Sequence, residues 1–298
     1  MACLWKLGVE VNQEQVAVPS LSRLHLSSYL PAATSELMAS LADIISTKDG
    51  CDSIEDENDT FRLERASAWS LDSVADALPK IEDAKANGKT VDEDRIIDYD
   101  AITKYVVVHD QGLPQSKETP YFNHQAYFAN LKHYQSTSSE GEDDIGRHLL
   151  YGEVVTSTNT LLEKYGILTP LPWVLRPDRY RNTQLLRCLP TGFTATATVQ
   201  VAGRGRGTNV WVSPPGSLMF STVIRHPMSL MPTAPVVFIQ YLAALAIVEG
   251  IKTYDKGFQR MPVKLKWPND ICTSAQDSWI RQPILLTFFP LERRFRSI

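Results

Sequence analysis

Residues 193–211 read F-T-A-T-A-T-V-Q-V-A-G-R-G-R-G-T-N-V-W, a strand-like stretch that runs into a glycine-rich loop. From 193 to 201 threonine alternates with apolar residues, the period-2 signature of a strand with one buried face. In the loop, Gly203, Gly205 and Gly207 free the backbone to come close to a ligand, while Arg204 and Arg206 add fixed positive charge. Backbone N–H groups and guanidinium forks both donate to oxyanions, so such a loop suits a phosphate or carboxylate. Arg-Gly repeats also occur in RNA-binding tails, and glycine-rich turns also serve purely structural ends.

Two other segments sharpen this reading. Residues 153–155 predict a strand that leads into Ser157-Thr158-Asn159, two hydroxyls and an amide able to hold a compact polar ligand head. The plainer alternative is a helix-capping cluster, since Ser, Thr and Asn dominate caps. Thr160 with Glu163 has capping-box spacing and predicts a short helix through Tyr165. Further on, Lys266-Trp267-Pro268-Asn269-Asp270 ends a strand expected over 263–267 with a rigid turn, an amide and a carboxylate. Asn269 and Asp270 have the oxygen chemistry that magnesium-bound phosphate prefers, though a surface turn would look the same.

Strands are also expected over 105–109 and 217–224. Pro235 stands at the start of an apolar helix over 236–248, read as buried. Strands alternate with helices, which predicts an α/β (α+β) class, a mixed β-sheet flanked by helices. Three polar runs, 48–60, 82–95 and 136–144, read as solvated loops or linkers, and the third is the best domain boundary.

Hydrophobic residues make up 43% of the 298, enough for two modest cores, and the formal net charge of -4 argues against a nucleic-acid-coating protein. The four cysteines and six histidines are scattered, without disulfide or zinc spacing. The first residues lack a basic region followed by a long apolar core, and no apolar run reaches membrane length, so neither a secretory leader nor a membrane partner is expected and the expected location is cytoplasmic.

In this order, S-T-N, G-R-G-R-G-x-N-x-W and K-W-P-N-D together resemble the biotin–protein ligases, over roughly residues 145–271. The wording from Gly203 to Trp211 is similar to eukaryotic, particularly fungal, members, in which an amidotransferase-like region precedes the ligase. The resemblance implies four parts: a partial amidotransferase-like region with linker at 1–133, an acidic linker at 134–144, the ligase catalytic domain at 145–271, and a divergent tail at 272–298. It also implies the substrates biotin and ATP with Mg2+, and as partners the biotin-carrier domains of biotin-dependent carboxylases. By position in the motifs, Ser157, Thr158, Asn159, Gln200 and Gly205 would bind biotin. Arg204 and Arg206 would clamp biotin carboxylate and phosphate as the catalytic pair. Trp211 would support adenine, and Asn269 with Asp270 would serve Mg-ATP, Asp270 being the metal ligand.

Two stretches depart from the family pattern. No lysine follows Lys266 and no glycine follows Gly257, so the family's K-x-G-G-I-L-like strand is missing. The catalytic domain is therefore expected to break off soon after Asp270, with impaired ligation. Residues 169–182 form a Pro- and Arg-rich insert to which no function is assigned. The alternatives are a non-catalytic module that binds biotin or biotinyl-adenylate, and an RNA-binding protein. The acidic balance and the lack of an aromatic stacking motif count against the latter.

Overall fold

The computed structural model describes residues 19–48, 50–55, 59–66, 102–137, 145–162, 183–204, 210–266, 270–275 and 278–283. The chain forms two compact units that meet in sequence at Val223 and Ile224. The class is the expected one: a mixed sheet flanked by helices.

In the first unit the strands are β1 (Leu24–Ser28), β2 (Ser46–Lys48), β3 (Cys51–Glu55), β4 (Thr60–Arg65), β5 (Lys104–Val108), β6 (His148–Val155), β7 (Thr194–Arg204), β8 (Val210–Ser213) and β9 (Met219–Thr222). Its helices are α1 (Pro31–Ser40), α2 (His124–Thr137), α3 (Thr158–Leu162) and α4 (Thr183–Cys188). One nine-stranded sheet runs β2-β3-β4-β5-β1-β6-β7-β8, with β9 also paired to β7. The 105–109, 153–155, 193–201 and 217–224 expectations correspond to β5, β6, β7 and β9.

The centre of the sheet is β1, parallel to β5 on one side and antiparallel to β6 on the other, with Leu24 opposite Gly152 and Ser28 opposite His148. One uninterrupted ladder thus joins the region before the expected linker to the region after it. The linker residues up to Thr137 are helical, and 138–144 lie outside the described residues. On one part of this sheet Leu149 and Tyr151 pack with Phe128 of α2 as a buried cluster, supported by Phe122, Tyr127 and Leu131. On α2 itself Leu131 lies four residues after Tyr127 and three after Phe128, so these three share the face turned to the sheet.

The acidic run 48–60 departs from expectation. Its residues 51–55 are strand β3, held between β2 and β4. The polar side chains pair across the ladder instead of opposing pairing: Thr47 donates to Asp52 at 2.6 Å, and Lys48 meets Glu55 at 2.7 Å. The runs at 82–95 and the insert at 169–182 lie outside the described residues.

The second unit contains α5 (Val236–Thr253) and a three-stranded antiparallel sheet of β10 (Val263–Lys266), β11 (Asp270–Ala275) and β12 (Ser278–Pro283). Helix α5 corrects the expectation of a buried helix. Val248, with Ile247 and Ile251 beside it, packs on Val263 and Ile271, but Phe238, Leu242 and Leu245 are exposed. The helix is apolar all round, and a three-stranded sheet covers only one face of it. Among the described residues no helix is long and apolar enough to cross a membrane.

Candidate functional site

Strands β6 and β7 run parallel, with Val155 opposite Gln200, so the chain leaves β6 beside the end of β7 that carries the glycine-rich loop. Carboxyl ends of adjacent parallel strands are where α/β sheets place ligands. Ala202 N–H donates to Thr156 O at 2.9 Å, tying the two strand ends together beyond their regular pairing.

From there the chain turns into α3. Ser157 Oγ lies 3.3 Å from Asn159 N and 3.5 Å from Thr160 N, so Ser157 caps this helix. This corrects the expected cap at Thr160: the helix begins at Thr158, and Thr160 Oγ1 instead donates back to Ser157 O at 3.1 Å. The capping alternative and the binding reading are compatible, because Ser157 Oγ accepts in the cap and keeps its own proton to donate.

Next to the cap is a buried polar knot. Thr158 N–H donates to Gln200 Oε1 at 2.8 Å, and Thr158 Oγ1 lies 3.3 Å from the same oxygen. Thr158 Oγ1 is also 3.0 Å from Ser221 Oγ, while Gln200 Nε2 reaches Ser213 Oγ at 3.4 Å. Between Gln200 and Gly203 the β7–β8 register shifts, and a methyl group on Gly203 would stand 2.4 Å from Gln200 Nε2. The buried Oδ1 of Asn159 has no hydrogen-bond partner among the described residues. A buried acceptor left unpaired costs about 1–3 kcal/mol, so this position invites a donor from a ligand.

Of the residues singled out from sequence, Ser157, Thr158, Asn159 and Gln200 therefore come together. Arg204 is the last residue of β7, paired with Val210, and Gly205 and Arg206 lie outside the described residues. Trp211 sits on β8 opposite Gly203, half exposed. Asn269 lies outside the described residues, and Asp270, the first residue of β11, belongs to the second unit. Ser213 and Ser221 were missed. Each is a single serine in an apolar strand, 13 and 63 positions from its partner, and no spacing signal connects such pairs.

Residues 151–277 match the Biotin/lipoate A/B protein ligase family. The chain is 40% identical over 126 residues to the biotin–protein ligase of Schizosaccharomyces pombe, covering 42% of this chain and 17% of that one. The Homo sapiens biotin–protein ligase is 28% identical over 151 residues, covering 51% and 17%. The bifunctional ligase/repressor BirA of Bacillus spizizenii is 31% identical over 154 residues, covering 52% and 39%. The match thus spans about a sixth of the length of the yeast and human ligases. The matched segment begins inside β6 and includes the polar knot, the glycine-rich loop and Asp270.

A second buried polar group lies outside that segment. His25 Nδ1 and His109 Nε2 are 3.0 Å apart, and His124 packs edge-on against Phe122 and Tyr151 with neither ring nitrogen bonded among the described residues. Burial pushes His25 down to about 3 and His124 down to about 4, and it lowers His109 as well. Among the described residues no group of three or more His, Cys, Asp or Glu is arranged to hold a metal.

Proposed function

We propose that residues 145–271 act as the catalytic domain of a biotin–protein ligase, joining biotin to a lysine of carboxylase biotin-carrier domains in the cytoplasm. The observation that carries this reading is the buried knot of Thr158 and Gln200 beside the unpartnered Asn159 Oδ1. The ureido ring of biotin offers two N–H donors and a carbonyl acceptor, which this set of groups can satisfy. The dithiolane of a lipoyl group has neither, and would leave the same polar atoms desolvated and unpaired.

In the proposed reaction a biotin carboxylate oxygen attacks the α-phosphorus of ATP, and the bond to the pyrophosphate leaving group breaks. The product, biotinyl-5'-AMP, then loses AMP when a carrier lysine amine attacks its carbonyl carbon. The first step brings an anion to a polyanion, so positioned positive charge governs the barrier. Arg204 and Arg206 supply it at the loop, Gly205 between them lets the backbone approach, and Trp211 offers a face for adenine. Magnesium enters as Mg-ATP, served by Asn269 and Asp270.

Residues 267–298 contain no lysine, whereas the family resemblance implies one shortly after the W-P-N-D turn. That absence favours a second reading, a module that holds biotin or biotinyl-adenylate without completing ligation. Biotin-dependent exchange of pyrophosphate into ATP separates the two, with Arg206→Ala as control and lipoate as competitor. Exchange that disappears in the control supports the ligase. Biotin binding without exchange supports the module, and preference for lipoate overturns both.

A further inference from the structure

A backbone N–H can only donate, so the Gln200 atom 2.8 Å from Thr158 N is its carbonyl oxygen, Oε1. That single assignment fixes the direction of every other bond in the knot. Thr158 Oγ1, 3.3 Å from the same oxygen, must spend its proton there. It is left with lone pairs for Ser221 Oγ at 3.0 Å, which makes Ser221 the donor. At the other end Gln200 Nε2 donates to Ser213 Oγ at 3.4 Å, a longer and weaker link. The two acceptor positions of Oε1 are then filled, and one Nε2 hydrogen remains uncommitted among the described residues. Gln200 therefore meets a ligand as a donor.

We propose that Ser221 of β9 and Ser213 of β8 are positioning residues that set this amide orientation for the ureido carbonyl of biotin. The inference rests on the biotin-site reading above. Neither serine needs to touch the ligand. Ser221 acts through the Thr158 hydroxyl, and Ser213 holds the Nε2 end, so that the donor face of Gln200 is preset before biotin arrives.

The test uses the full 298-residue chain, with biotin titrated calorimetrically and hydrogen exchange followed at the Thr158 amide without ligand. Ser221→Ala is expected to weaken biotin about fivefold, the worth of one buried hydrogen bond, and Ser213→Ala about twofold. Ser221→Thr, which keeps the hydroxyl, restores affinity. Exchange at Thr158 N–H accelerates in Ser221→Ala, and that effect vanishes in a Thr158→Val background, where no hydroxyl transmits it. An effect of Ser221→Ala that persists undiminished in Thr158→Val overturns the proposal, as does unchanged exchange at Thr158. If the wild-type chain takes up no biotin, the functional reading fails, while the exchange data still decide whether the serines hold the amide.

Discussion

Replacing Gly203 by alanine tests whether the first glycine of the loop motif is there for space. Its backbone is not in the left-handed region, so alanine brings no torsional strain. The new methyl would stand 2.4 Å from Gln200 Nε2, 3.2 Å from Gln200 Cδ and 3.0 Å from the Trp211 carbonyl oxygen. Carbon contacts relax at about 3.5–4.0 Å, so the amide must retreat by about 1 Å. That movement breaks the Thr158 N–H bond to Oε1 and strands a buried donor, at a cost of about 1–3 kcal/mol. Stiffening of the unfolded chain returns about 0.4–1 kcal/mol, so a net loss of about 1–2 kcal/mol is expected. Biotin should bind about tenfold more weakly, because its carbonyl partner has moved. Urea midpoints and calorimetric titration measure the two effects. In a Gln200→Ala background the clash is gone, so Gly203→Ala should then cost little stability. An equal loss in both backgrounds would refute the reasoning and assign the glycine to the β7–β8 backbone contact instead.

Four further outcomes follow from the packing and the charges. Leu149→Ala removes a fully buried side chain from the Phe128–Tyr151 cluster and should cost about 2–5 kcal/mol by urea denaturation; a loss under 1 kcal/mol would mean the cluster closes over the gap. Removing residues 1–144 strips β1 from β6 and leaves a bare edge, so the shortened chain should aggregate; a soluble monomer by light scattering would refute this. The buried histidines make the fold acid-labile. Their folded-state values lie below the unfolded value of 6.5, so the stabilisation is complete above pH 6.5. It declines as pH falls toward about 4 for His124 and about 3 for His25, by up to about 1.4 kcal/mol per site per unit. His124→Phe should flatten the urea midpoint between pH 6.5 and 4 and raise it at pH 7; an unchanged slope would place the acid sensitivity elsewhere.

Residue chemistry and period made part of this molecule legible. The threonine alternation marked β7 because one face of that strand is buried, and Val236 to Val248 marked a helix by an apolar run interrupted only at Gln240. The S-T-N wording pointed to Ser157, Thr158 and Asn159, which the fold brings together with Gln200, while most of the G-R-G-R-G loop lies outside the described residues. What one-dimensional pattern could not carry is any pairing between distant strands. That β1, 120-odd positions earlier in sequence, would complete the sheet beside β6 depends on which edges meet in the folded chain. The charged segment 51–55 looked like a loop because its pairing strands, β2 and β4, and the Lys48 partner of Glu55 reach it only once the hairpins close. Helix α5 looked buried because hydropathy counts apolar residues and does not count the strands available to cover them. Ser213 and Ser221 are ordinary serines in sequence. They acquire a role only where the β7 bulge and the β8–β9 turn bring their hydroxyls to Gln200 and Thr158, since a hydrogen bond is decided by a few tenths of an ångström in three dimensions.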